Sequence, residues 1–118
     1  MKIDIEIVKN YLTVFQEYNS PVISTYELFK QLELDFQKKD DIKTLYFYLK
    51  ILFDQDLIDI ESSKAEDKQT LGFSFSHSGN VILLSRYFRL TNEGHKTLEI
   101  MQQSKIWNLL KPNLAQLV

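Results

Sequence analysis

Residues 40–61, DDIKTLYFYLKILFDQDLIDIE, contain a change of hydrophobic period that decides the fold. Ile42, Leu45, Leu49, Leu52 and Phe53 recur at the three- and four-residue steps that line one face of an α-helix, and Asp40 is placed to cap its first amides. From Leu57 the period drops to two. Leu57 or Ile58 and then Ile60 alternate with Asp59 and Glu61, the pattern of a strand with one wet face. A connection this short folds the strand back beside the helix that precedes it.

Upstream, Ile7 or Val8, Tyr11, Leu12, Phe15 and Tyr18 keep helical spacing over 4–18, and Asn19-Ser20-Pro21 ends that helix because proline disfavours helical geometry in the residue before it. Pro21, Val22 and Ile23 leave room for a short extended piece. Ser24 followed by Glu27 is a capping box that opens a second, short helix through Tyr26, Leu28, Phe29 and Leu32. Downstream, 62–70 is polar and aperiodic, a solvated loop. Residues 71–76, LGFSFS, alternate strictly, 77–80, HSGN, are turn chemistry, and 81–90, VILLSRYFRL, are β-branched and aromatic, so a hairpin is expected over 71–90. Thr91 caps a helix through Leu98 and Met101. Ser104 opens an apolar tail containing Ile106, Trp107, Leu109, Leu110, Leu114 and Leu117, with Pro112 opening or kinking its last turn.

With 118 residues, 44% of them hydrophobic, the chain is long enough for one domain with its own core. No composition shift, repeat or linker divides it, so 1–118 is read as a single unit, 1–90 forming the core and 91–118 a helical extension. There is no cysteine, so neither a disulfide nor a thiolate metal site is available. The charged opening lacks the apolar run of a signal peptide, and no uncharged stretch approaches membrane-spanning length. These features lead us to expect a cytoplasmic protein with no membrane partner. Fourteen basic residues against sixteen acidic ones give a net charge of −2, which weighs against a dedicated nucleic-acid binder because such proteins usually carry a basic excess.

Helix, extended piece, helix, helix, strand and hairpin in this order give an α+β fold, a winged helix-turn-helix with an elaborated wing hairpin and a C-terminal helical extension. Leu90-Thr91-Asn92-Glu93-Gly94-His95 is similar to the Leu-Thr-x-x-Gly corner of many winged-helix regulators, where the last wing strand enters the next helix. Together with Met1-Lys2-Ile3-Asp4, the Leu57-Ile58 pair and Ile106-Trp107-Asn108, the whole chain resembles a prophage-associated bacterial domain family of unknown function. The resemblance implies a winged helix and a phage or prophage setting, without an activity or a site. Two features depart from the usual pattern: Asp56 stands where glycine commonly precedes the Leu-Ile pair, and the 71–83 hairpin is longer than an ordinary wing.

No catalytic constellation is present: His77 and His95 are the only histidines, and there is no nucleophile motif or glycine-rich phosphate loop. Glu93, His95 and Glu99 fall on neighbouring helical turns, but a solvated face explains them as well as a metal site does. We therefore expect no enzyme activity, cofactor or metal. Two binding functions remain. A DNA-binding transcriptional regulator would use Lys38, Lys39, Lys43 and Lys50 around the central helix, with Lys64, Lys68 and Arg86 from the wing, although Asp35, Asp40 and Asp41 largely cancel the field of Lys38, Lys39 and Lys43. Alternating strand geometry puts Arg86 and Arg89 on opposite faces, so they do not form one patch. The alternative is a protein-binding module acting on a host or phage protein. On a helical wheel Thr44, Phe47, Tyr48 and Ile51 fall opposite or beside the core stripe, so this apolar face is either an interface or covered by the hairpin or tail. Trp107 and the tail leucines add an expected packing or homodimer surface.

Overall fold

The computed structural model describes residues 2–62 and 70–103. Its α+β architecture runs α1 (Ile5–Glu17), β1 (Ile23–Ser24), α2 (Thr25–Gln31), α3 (Lys39–Asp54), β2 (Ile58–Glu61), β3 (Phe73–Phe75), β4 (Val81–Leu83), β5 (Tyr87–Leu90) and α4 (Asn92–Gln102). Helix starts follow their caps. The Asp4 carboxylate accepts from Glu6 N at 2.9 Å, Ser24 Oγ accepts from Glu27 N at 3.2 Å, and Thr91 Oγ1 accepts from Gly94 N at 3.0 Å. The third helix departs from expectation. It begins at Lys39, and its N-cap, Lys38, makes no side-chain capping bond. Asp40 lies inside the first turn with Asp41, where negative charge complements the unpaired amides. Asp41 Oδ2 also accepts from Asp35 N at 2.8 Å, which ties down the connection before the helix.

Both α2 and α3 end in a left-handed residue that is not glycine: Glu33 has φ 57° and Asp56 φ 59°. In each case the next amide reaches back over the corner, Leu34 N to Phe29 O at 2.8 Å and Leu57 N to Leu52 O at 2.9 Å. These closures aim α3 and β2 at their neighbours. A left-handed β-carbon costs about 1–2 kcal/mol, and the extra unfolded-state freedom of glycine offsets about 0.5–1 of the gain on removing it. Glu33→Gly is therefore expected to raise thermal stability by about 0.5–1 kcal/mol, a few degrees in melting temperature. An unchanged or lower melting temperature would mean that the corner carries no such cost.

The main sheet is antiparallel with strand order β1-β5-β2, so both earlier strands pair with the last one. Ile23 and Ile60 flank Phe88, Ile58 faces Leu90, and all five side chains are buried against the helices. Asp59, Glu61 and Arg89 occupy the wet face, where Arg89 lies 3.1 Å from Asp59 and 3.4 Å from Glu61. These pairs are half-exposed and contribute little to stability. The core continues through Leu12, Leu28, Phe29, Leu45, Leu49, Leu52 and Leu98.

Residues 81–90 do not form one strand. The segment breaks at 84–86 into β4, which among the described residues pairs only with β3, and β5, which belongs to the main sheet. The buried Thr25 at the start of α2 makes the break. Its hydroxyl accepts from Arg86 N at 2.9 Å and its own N donates to Arg86 O at 3.0 Å, turning the chain between sheets. The β3–β4 hairpin folds towards α3, with the rings of Phe73 and Phe75 centred 5.4 and 5.1 Å from that of Tyr46.

The Leu-Thr-x-x-Gly segment has a structural explanation here. Thr91 N donates to Leu57 O at 3.0 Å and Thr91 Oγ1 donates to Asp56 O at 2.6 Å, so the threonine fastens the α3–β2 corner to the start of α4. Gly94, one turn on, packs directly on the Leu57 carbonyl. Among the described residues no helix is long and apolar enough to cross a membrane. The tail expected to pack or dimerise, including Trp107, lies outside the described residues, as do Lys64 and Lys68.

Candidate nucleic-acid interface

Helix α3 buries more of its circumference than its sequence stripe indicates. Ile42, Leu45, Leu49 and Leu52 are in the core as expected, whereas Phe53 is only half-buried. Tyr48 and Ile51, placed on the outer face by the wheel, are 3% and 7% exposed. Among the described residues, Tyr48 is covered by α1 and its N-cap. Asp4 N donates to Tyr48 Oη at 3.1 Å, and the Tyr11 ring lies 5.2 Å from that of Tyr48. Burial, with Tyr48 and Asp41 adding to it, pushes the Tyr11 phenol well above its ordinary pKa, so it stays neutral. Ile51 joins the same core cluster. Of the proposed apolar face only Thr44 and Phe47 remain partly accessible.

The exposed crest of α3 is therefore rotated towards the lysines. Lys39, Lys43 and Lys50 are exposed, and at about 100° per residue they fall within roughly 40° of one another on the wheel. They form one stripe. Asp54 borders this arc and Asp40 lies roughly 60° beyond it, and Lys50 Nζ lies 3.0 Å from Asp54 Oδ1, so part of its charge is already engaged. Phe47 sits between Lys43 and Lys50 in sequence, half-buried, its ring edge-on to Tyr48 at 5.1 Å. Thr44 Oγ1 donates back to Asp40 O at 2.9 Å. Lys38 is exposed at the N-cap, beside the stripe in sequence.

The hairpin tip stands against the first turn of this helix. Ser76 N donates to Asn80 O at 2.9 Å, Gly79 N to Ser76 O at 3.0 Å and Asn80 N to Ser76 Oγ at 3.1 Å, closing a tight loop. A β-carbon at Gly79 would lie 3.4 Å from Lys39 Nζ. His77, Ser78 and Asn80 are exposed around that contact and extend the polar surface beyond α3. The turn itself is readable from HSGN. Its placement beside Lys39 is not, because the Tyr46 to Phe75 packing that sets it joins distant parts of the chain.

Arg86 does not belong to the lysine stripe as an additional wing cation. It lies in the link between the two sheets, outside β5, with its backbone gripped by Thr25 and its half-buried side chain over Gly72. Glu93, His95 and Glu99 form no metal-holding group: among the described residues no three such side chains converge, and Glu93 lies 3.6 Å from Lys96. A groove of about 670 Å³ beside α2 is lined by the aromatic residues Tyr26, Phe29 and Phe36. Glu27, Glu33, Asp35 and Asp41 outnumber Lys30 and Lys38 on its walls, so it does not favour an anion. No family model, curated protein or solved structure matches the chain.

Proposed function

We propose that the chain is a winged helix-turn-helix module that binds duplex DNA as a non-enzymatic regulator, in the phage or prophage setting its sequence resemblance implies. Support for the architecture comes from element order: α1, β1, α2, α3 and β2 precede a long excursion that returns as β5 in the middle of the sheet. In this reading α2 and α3 form the helix pair, α3 enters a groove, and the hairpin takes the place of the wing. The observation that carries DNA binding is the alignment of Lys39, Lys43 and Lys50 on the exposed crest, while Tyr48 and Ile51 are withdrawn into the core. Large apolar anchors are what a protein interface needs, and the crest has lost two of the three assigned to it. A net charge of −2 is compatible with a local stripe, because phosphates respond to the charges nearest them.

Binding to a labelled duplex is expected to weaken steeply with salt. Lys43→Ala and Lys39→Ala should each make the slope of log K against log salt shallower by about 0.9, the share of one phosphate contact. Lys50→Ala should change it less, because Asp54 already competes for that ammonium. A slope that none of the three variants alters would remove α3 from the interface.

A further inference from the structure

Helix α3 carries an unusual set of groups for contacting base edges. Over 39–54 it contains no arginine, asparagine, glutamine or serine, so of the side chains that usually hydrogen-bond purine edges it holds only lysine and Thr44. Its exposed lysines act as point charges suited to phosphates. The hydroxyl proton of Thr44 is already used, since Oγ1 donates to the Asp40 carbonyl, which leaves an acceptor oxygen and the γ-methyl to offer a groove. Phe47, one turn further along, keeps part of its ring accessible while Tyr48 and Ile51 do not. Phosphate-binding lysines therefore run along one side of two apolar contact groups. In the DNA major groove the feature that an apolar contact recognises is the C5 methyl of thymine.

We infer that α3 selects duplex DNA by thymine methyl groups, with Phe47 and Thr44 as the specificity-determining residues and A·T-rich major groove as the ligand. This rests on the DNA-binding reading above and adds to it the chemistry of discrimination. The lysines set affinity and its salt dependence, without sequence information. The methyl contacts set sequence preference, so the two contributions separate experimentally. Asp40, one turn before Thr44, reinforces the separation by disfavouring a phosphate close to Thr44.

The test compares two A·T-rich duplexes identical except that one carries uracil in place of thymine, which removes the methyl and leaves every hydrogen-bonding edge unchanged. A buried methyl contributes about fourfold in affinity, so two contacts predict roughly fifteenfold tighter binding to the thymine duplex at equal salt slope. In a G·C-rich duplex, 5-methylcytosine presents a methyl at the same groove position and should strengthen binding. Phe47→Ala should remove most of the thymine-uracil difference while leaving the salt slope intact. The nucleotide comparison needs no protein variant, so the stability of Phe47→Ala does not decide the outcome. Equal affinity for thymine and uracil duplexes would overturn methyl recognition and leave DNA binding standing. Absence of binding to any duplex at low salt would overturn both.

Discussion

Gly94→Ala is expected to cost about 3 kcal/mol, enough to lower the melting temperature of a domain this size by roughly 10–20 °C. A β-carbon at this position would overlap the Leu57 carbonyl oxygen and lie 2.5 Å from Leu90 Cδ1. Neither neighbour is free to withdraw. Leu57 O accepts from Thr91 N, and Leu90 is a buried strand residue paired with Ile58. The substitution is instructive because Gly94 lies inside α4, where alanine's helix propensity favours it by about 1 kcal/mol. Any loss measured by thermal denaturation thus reports the close approach of α4 to the corner, and Glu93→Ala, at the exposed neighbouring position, should change little. A Gly94→Ala protein as stable as the parent would mean that the corner and α4 are further apart than described.

Ile51→Ala is expected to destabilise the free domain by about 2–4 kcal/mol in chemical denaturation, the usual cost of emptying a buried isoleucine site. Phe47→Ala, on the half-exposed side of the same helix, should cost clearly less. The pair separates two accounts of α3. If Ile51 belonged to a vacant protein-binding face, its truncation would leave the isolated domain as stable as before and weaken only a complex. Loss of stability without any partner present places it in the core.

The difference between those accounts also shows how far the sequence reached. Local signals located the elements well. The Ser24 and Thr91 caps, the proline stop after α1 and the period change around residue 57 each act within a few residues of the feature they define. Asp56 in a left-handed corner was legible for the same reason, since aspartate tolerates that geometry better than most residues. What escaped depends on distant partners. The apolar stripe of α3 marks the centre of its buried arc but not the width, which the start of α1 sets by covering Tyr48. The strand over 81–90 has no internal signal for its break, because Thr25, 61 residues from Arg86, makes it. Lys43 and Lys50 fall together on one flank of the wheel, but that this flank is the exposed crest follows only from the burial of Tyr48 and Ile51.

The central position of β5 has a consequence for the order in which the domain assembles. Among the described residues, neither β1 nor β2 has a strand partner in the main sheet until β5 arrives, although both precede it in the chain. During synthesis the first sixty residues therefore emerge with helical segments able to collapse on one another but no sheet to close them. Non-local strand pairing of this kind pays loop-closure entropy before any ladder bond rewards it, which slows folding. The nascent chain stays incomplete until residue 90 clears the ribosome, and its two waiting strands need protection from other partners for that interval.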